Sequence, residues 1–229
     1  SFKTVVVNAT AGGSDVASLY DTNKKEEFTA EPTSARLKTS PPDNDLDITV
    51  ANFETVHAYA VNGGSDTAVF QGSTGDDVFT SDFAQNGEYA RLTGNYYNRA
   101  KYFETVVAYG NGGTDTAWMY DSPGNDTFEA KRTVTPVAAF QATMTDTGSN
   151  RSCQVNDFYA VNAYSTRGGS DSASLTDEAE CGDTYDMQTV GNGKFYAPGL
   201  YWVVNQFESV TVNPGAGGTD TAILLGTSG

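Results

Sequence analysis

The chain has one histidine, two cysteines, three methionines and only 13 lysines and arginines in 229 residues. With His57 alone, serine-protease, cysteine-protease and histidine-rich metal sites all lack parts, and His57 sits at a variable, outward position. Against the 13 basic residues stand 29 acidic ones, a net charge of −16. That balance argues against nucleic acid and anionic membrane as partners, since neither phosphate neutralisation nor lipid attraction has a basic surface to draw on. No apolar run approaches transmembrane length, so membrane insertion is not expected. The N-terminus also lacks the basic-then-apolar layout of a signal peptide. Strong helix formers are few, whereas Thr, Val, Tyr and Phe are abundant, and this composition reads as all-β.

What is present is a repeat. Gly-Gly-x-Asp occurs five times, with its aspartate at Asp15, Asp66, Asp115, Asp171 and Asp220, at spacings of 51, 49, 56 and 49 residues. Self-similarity at a fixed period marks an array. The repeat leaves no place to cut, so residues 1–229 read as one elongated unit of four ~50-residue double-coil repeats plus a partial fifth. The chain starts in a strand-like run and stops half a unit into a repeat, which predicts a segment of a longer protein that stacks end to end on further repeats.

Within each repeat, aromatic residues recur near every 25 positions: Phe2, Phe28, Phe53, Phe79, Phe103, Phe128, Phe158, Tyr185 and Phe207. About 25 residues suit three short strands plus corners, one coil of a parallel β-helix. The fold expected is therefore all-β, a right-handed parallel β-helix (β-solenoid) of about nine ~25-residue coils, roughly 40 Å long, with those aromatics in one buried stack. Val56, Val106 and Val161 followed two residues later by Ala58, Ala108 and Ala163 give the period of a half-buried strand. The next strand repeats it with Ala68, Ala117 and Ala173, then Phe70, Met119 and Leu175. Tyr59, Tyr109 and Tyr164 are expected to form one ladder. A flat sandwich is the rival fold.

The acidic stretches Gly72–Phe79 and Asp121–Phe128 carry Gly75-Asp76-Asp77-Val78-Phe79 and Gly124-Asn125-Asp126-Thr127-Phe128. They resemble the repeats-in-toxin (haemolysin-type) calcium motif at its fourth, sixth and eighth positions. That family spaces its motif as a nonapeptide, which this chain does not. The resemblance implies Ca²⁺ as cofactor, held by aspartates and glycine-turn carbonyls. The metal candidates are Asp66, Asp77, Asp115, Asp126, Asp171 and Asp183. Read as residues alone, Gly-Gly-x-Asp is equally a corner, with glycine at φ > 0 and Asp capping backbone N–H groups. The whole ~50-residue unit is similar to tandem repeats of large secreted or surface proteins of bacteria, which implies an extracellular or cell-surface location.

Cys153 and Cys181 each fall in a stretch longer than its counterparts, which predicts a disulfide between two irregular loops in an oxidising compartment. Arg91, Tyr96, Tyr97, Arg99, Lys101 and Tyr102 form the densest basic and aromatic stretch. Tyr96, Tyr97, Arg99, Trp118 and Trp202 are the candidates for stacking on or pairing with sugars. The function expected is a non-catalytic structural or adhesive solenoid module of a secreted bacterial surface protein, partnered by polysaccharide or other cell-surface components. A carbohydrate-binding accessory module is the alternative. A β-helical polysaccharide lyase, with a cation for the uronate and a Tyr or Lys base, comes third.

Overall fold

A computed structural model describes residues 3–10, 12–43, 45–83, 89–133, 139–178, 182–189, 191–215 and 217–224. Among these residues there are 22 strands and no helix. The first repeat runs β1 (Thr4–Asn8), β2 (Val16–Tyr20), β3 (Glu26–Ala30), β4 (Ser34–Thr39) and β5 (Asp47–Ala51). The second has β6 (Thr55–Tyr59), β7 (Thr67–Gln71), β8 (Val78–Asp82), β9 (Tyr89–Thr93) and β10 (Tyr97–Lys101). The third has β11 (Thr105–Tyr109), β12 (Thr116–Tyr120), β13 (Asp126–Thr133), β14 (Ala139–Asp146) and β15 (Arg151–Asn156). The fourth has β16 (Ala160–Tyr164), β17 (Ser172–Asp177), β18 (Thr184–Thr189), β19 (Asn192–Ala197) and β20 (Leu200–Asn205). Finally come β21 (Ser209–Asn213) and β22 (Thr221–Leu224).

These strands build two eleven-stranded sheets. The first is ordered β1-β5-β4-β3-β7-β11-β15-β14-β13-β17-β21 and the second β2-β6-β10-β9-β8-β12-β16-β20-β19-β18-β22. Every repeat follows one plan: a single strand in one sheet, a single strand in the other, then a three-stranded antiparallel meander back in the starting sheet. Neighbouring repeats join through parallel pairs, such as β7 with β3 and β11. The ~25 residues from Phe28 to Phe53 therefore form a meander within one sheet. They do not make a coil of three parallel strands.

The chain crosses between sheets three times per repeat, an odd number, so successive repeats start in opposite sheets. Tyr59 and Tyr164 lie in the second sheet and Tyr109 in the first, and the expected Tyr59–Tyr109–Tyr164 ladder does not form. The rings that stack instead are Tyr20 on Tyr59 and Tyr120 on Tyr164, with centroids 4.9 and 5.0 Å apart.

The period-two pattern is observed in the central repeats. Val56, Ala58, Val106, Ala108, Val161 and Ala163 point into one core, as do Ala68, Phe70, Ala117, Met119, Ala173 and Leu175. Phe28, Phe79, Phe103, Phe128, Phe158, Tyr185 and Phe207 are buried in it; Phe53 is half-buried, and Phe2 lies outside the described residues. The rings are not one column of successive aromatics. Phe28 touches Phe103 and Phe70, Phe70 touches Phe79, and Phe79 touches Phe158, all at 6.1 Å. Phe70 thus links rings that the repeat period alone does not connect.

Cys153 is a free thiol, fully buried on the regular strand β15 beside Met144 and Val106. An inward core position, not an irregular loop, holds it, so it acts as a small hydrophobe rather than half of the expected staple. Cys181 lies outside the described residues.

Candidate functional site: carboxylate corners and a basic aromatic face

The glycine corners press repeats together closely enough to bring acids from different repeats into contact. Gly64 has φ 131° and a Cβ placed there would lie 1.8 Å from the Lys24 carbonyl oxygen. At Gly169, φ is 100° and the Gly124 carbonyl oxygen would be 1.9 Å away. Only glycine admits both the conformation and the approach. Two residues on, Asp66 Oδ1 accepts the Glu26 N–H at 2.7 Å, and Asp171 Oδ1 accepts that of Asp126 at 2.7 Å. Asp115 accepts from Asp77 N at 2.7 Å and Asp220 from Asp183 N at 3.2 Å. The aspartates do cap backbone N–H groups, but across repeats, about 40 residues away, rather than within a local turn.

Four equivalent corners result, and they differ in how their charge is met. The first gathers Asp21, Glu26 and Asp66, and the third Asp121, Asp126 and Asp171; in each, carboxylate oxygens lie within 4.8 Å of one another. All six residues are buried. At that distance each pair repels by about 3–4 kcal/mol at an effective dielectric near 20. In the second corner the acid column is broken by Gly72, and the Tyr96 hydroxyl donates to Asp77 Oδ1 at 3.0 Å. A side chain at Gly72 would meet the Gly110 carbonyl oxygen at 2.2 Å, so no acid fits there. In the fourth corner Arg132 sits between the acids, with Nε 2.7 Å from Asp177 Oδ1 and Nη2 3.4 Å from Asp183 Oδ1.

Backbone and hydroxyl donors satisfy part of the open corners. Asp121 Oδ2 accepts Arg167 N at 2.8 Å, and Asp126 Oδ2 accepts Ser122 N and Oγ at 3.0 and 2.7 Å. Asp21 accepts the main-chain and side-chain amides of Asn62 at 2.8 and 2.9 Å. Asp121 Oδ1, Asp126 Oδ1 and Glu26 Oε2 are buried without a hydrogen-bond partner. Burial pushes the Asp66 carboxyl up to about 7 and those of Asp115 and Asp126 up to about 6. Asp121 is raised for the same reason.

Of the metal candidates, Asp126 meets Asp171 and Asp77 meets Asp115, while Asp66 and Asp183 belong to separate corners. Asp21, Glu26, Asp121, Asp177 and Arg132 were not among the sequence candidates. The column Asp21, Asp121, Asp177 was the available signal, hidden by Gly72 in the second repeat.

The outer faces of the two sheets differ in chemistry. The first presents mainly Thr, Ser, Gln and Asn, and Tyr109 is its single outward aromatic among the described residues. The second carries nine outward rings, Trp118 and Tyr97 among them, together with Arg91, Arg99 and Lys101 on adjacent strands. Arg91 and Arg99 are direct cross-strand partners. No described carboxylate forms an ion pair with Arg91, Arg99 or Lys101. Arg99 packs over Tyr59 at 5.9 Å and donates to its hydroxyl at 3.0 Å, while Arg91 packs over Tyr89 at 5.8 Å. His57 lies among these groups, its ring against Tyr59 and Tyr97. Burial, Arg99 and Lys101 hold its pKa below the ordinary value.

Tyr97, Arg99 and Trp118 therefore share one face, but Tyr96 and Trp202 do not. Tyr96 is buried in the second corner. Trp202 occupies an inward position of β20, fully buried and stacked on Phe195 at 5.2 Å. Neither ring can meet a sugar.

Comparison of the chain with protein-family models, with curated proteins and with solved structures returned no match. Fold and site together define an all-β, two-sheet repeat protein with buried acidic corners.

Proposed function

We propose that the chain is a non-catalytic structural and adhesive module of a secreted bacterial surface protein, wound as a right-handed β-solenoid and working outside the cell. Eleven strands about 4.8 Å apart give each sheet a span of about 48 Å. Neighbouring repeats join through continuous backbone ladders, which suits a stiff spacer. In this reading the outermost strands accept further repeats of the same protein end to end.

The observation that carries the adhesive part is the asymmetry between the two outer faces. Three cations that pair with no described carboxylate, beside the stacked pairs Tyr20–Tyr59 and Tyr120–Tyr164, stand on one face of a chain whose net charge is −16. An acidic polysaccharide supplies the carboxylates they lack, and the same feature supports the second reading, a carbohydrate-binding accessory module. Because Tyr20 and Tyr59, like Tyr120 and Tyr164, stack on each other, they offer edges and hydroxyls more than open ring faces. Recognition would then run through charge and hydrogen bonds. The lyase reading loses Tyr96, which is turned into a corner, and would rest on Tyr97 or Lys101 beside Arg99.

Affinity electrophoresis in gels containing polygalacturonate or a neutral glucan tests this. Retardation by polygalacturonate alone is expected, lost in Arg91→Gln/Arg99→Gln, with no ultraviolet-absorbing unsaturated product. Equal mobility in all gels removes the adhesive face; rising ultraviolet absorbance makes the chain a lyase.

A further inference from the structure

We infer that the first and third corners, Asp21–Glu26–Asp66 and Asp121–Asp126–Asp171, are calcium-class cation sites, whereas the second and fourth are closed from within the chain. The four corners are built on one plan, shown by the same carboxylate-to-amide bond in each. The chain thus contains its own comparison. The fourth corner holds a cation, the Arg132 guanidinium, between Asp177 and Asp183. The second lacks one acid, having Gly72 in that column, and receives a hydroxyl donor from Tyr96. The first and third keep all three acids, and no described lysine or arginine forms an ion pair with any of them; Arg167, beside the third corner, donates to the Asp121 carbonyl oxygen at 3.1 Å and pairs its charge with Asp82.

A second observation is independent of the acid count. Asp121 Oδ1, Asp126 Oδ1 and Glu26 Oε2 have no hydrogen-bond partner, although their residues are 0 to 1% exposed; Asp115 Oδ2 in the second corner shares this state, but there Gly72 leaves only two acids, and the third carboxylate separates the corners. The remaining oxygens of the same carboxylates are hydrogen-bonded, so these side chains are held in place and each keeps one oxygen without a donor. Each buried polar atom without a partner requires an explanation, and in a cluster of three carboxylates a bound ion supplies it. Oxygen-only donors select hard cations. Ca²⁺ accepts six to eight oxygens in adaptable geometry, whereas Mg²⁺ dehydrates reluctantly and demands an octahedron. The ligand set differs from the Gly-Gly-x-Asp element, because Asp21 and Asp121 lie outside it and Glu26 replaces an aspartate.

The test uses the full chain stripped with chelator, then titrated with CaCl₂ alone by calorimetry. Two equivalents are expected per chain, with a higher melting temperature in Ca²⁺ that EDTA reverses. Asp126→Asn and Glu26→Gln should each leave one equivalent, and the surface control Asp47→Asn should leave two. Terbium needs no substitution: bound in the third corner it should luminesce on excitation of the neighbouring Tyr120 and Trp118, and Ca²⁺ should quench the signal by displacement. No heat and no change in melting temperature at millimolar Ca²⁺ would overturn the proposal. Two equivalents in both corner variants would also overturn it, as binding would then lie elsewhere.

Discussion

Arg132 and Asp177 form an ion pair inside the protein, with Nε 2.7 Å from Oδ1 and both side chains almost completely buried. The guanidinium also reaches Asp183 and the Pro198 carbonyl oxygen, at 3.2 Å for the latter. A buried pair adds little over an apolar replacement of the same shape, yet removing one partner strands the other's charge. Arg132→Met should therefore cost about 3–5 kcal/mol in urea denaturation. Arg132→Met/Asp177→Asn should recover a large part of that loss. A double variant no better than the single one would mean that the guanidinium matters for packing alone.

The phenylalanine chain offers a graded test. Phe28 is fully buried between Phe70 and Phe103, whereas Phe53 is only half-buried. Phe28→Ala should lower stability by about 3–5 kcal/mol, and Phe53→Ala by clearly less. Equal losses would show that burial does not govern the two positions.

Much of the core was legible because period-two patterning survives any arrangement of short strands. Val106 and Ala108 point inward whether their strand belongs to a coil or a two-layer sheet. The meanders were not legible, since β3, β4 and β5 alternate in the same way as parallel strands, and direction leaves no mark on the pattern. The Tyr59–Tyr109 pairing failed for that reason: a count of sheet crossings, not a residue period, decides which rings meet. Trp202 misled in a different way. Its strand, Leu200–Asn205, is an apolar run in which no alternation marks the inner side, and its phase with Leu200 and Val204 carries it inward against Phe195. Arg132 was invisible because a charge on a strand normally faces water, and only the acids of the next repeat explain its burial.

Tyrosine coupling follows from the sheet assignment. A double-mutant cycle on Tyr20 and Tyr59, each changed to Ala, should give a coupling of about 0.5–1.5 kcal/mol, as expected for contacting rings. The cycle on Tyr59 and Tyr109 should give essentially none. Thermal or urea unfolding of the four variants in each cycle decides it, and coupling between Tyr59 and Tyr109 would restore a single ladder.

Cys153 should be inert in the native protein. Burial raises its thiol to about 12, far from the thiolate form that reacts. Iodoacetamide at neutral pH should leave Cys153 unmodified until denaturant is added, as peptide mass spectrometry would record. Rapid native labelling would place the residue outside the core.

His57 reports on the basic face, and as the sole histidine it gives a single titrating imidazole signal. Its pKa lies below 6.5 because burial and the neighbouring Arg99 and Lys101 disfavour a further positive charge. A depressed histidine leaves the unfolded chain binding more protons than the native one between the two pKa values. Its contribution is therefore fully present above the unfolded pKa and lost as pH falls through 6.5 toward the folded value. His57→Gln should remove this part of the pH dependence, and Arg99→Gln should move the imidazole pKa upward in an NMR titration. Polygalacturonate seated on the face would bring carboxylates beside the ring, and these favour the charged imidazole. Saturating polymer should then raise the His57 pKa, while the neutral glucan leaves it unchanged. A shift caused by Arg99→Gln but not by the polymer would confirm the local electrostatics and place the polysaccharide elsewhere.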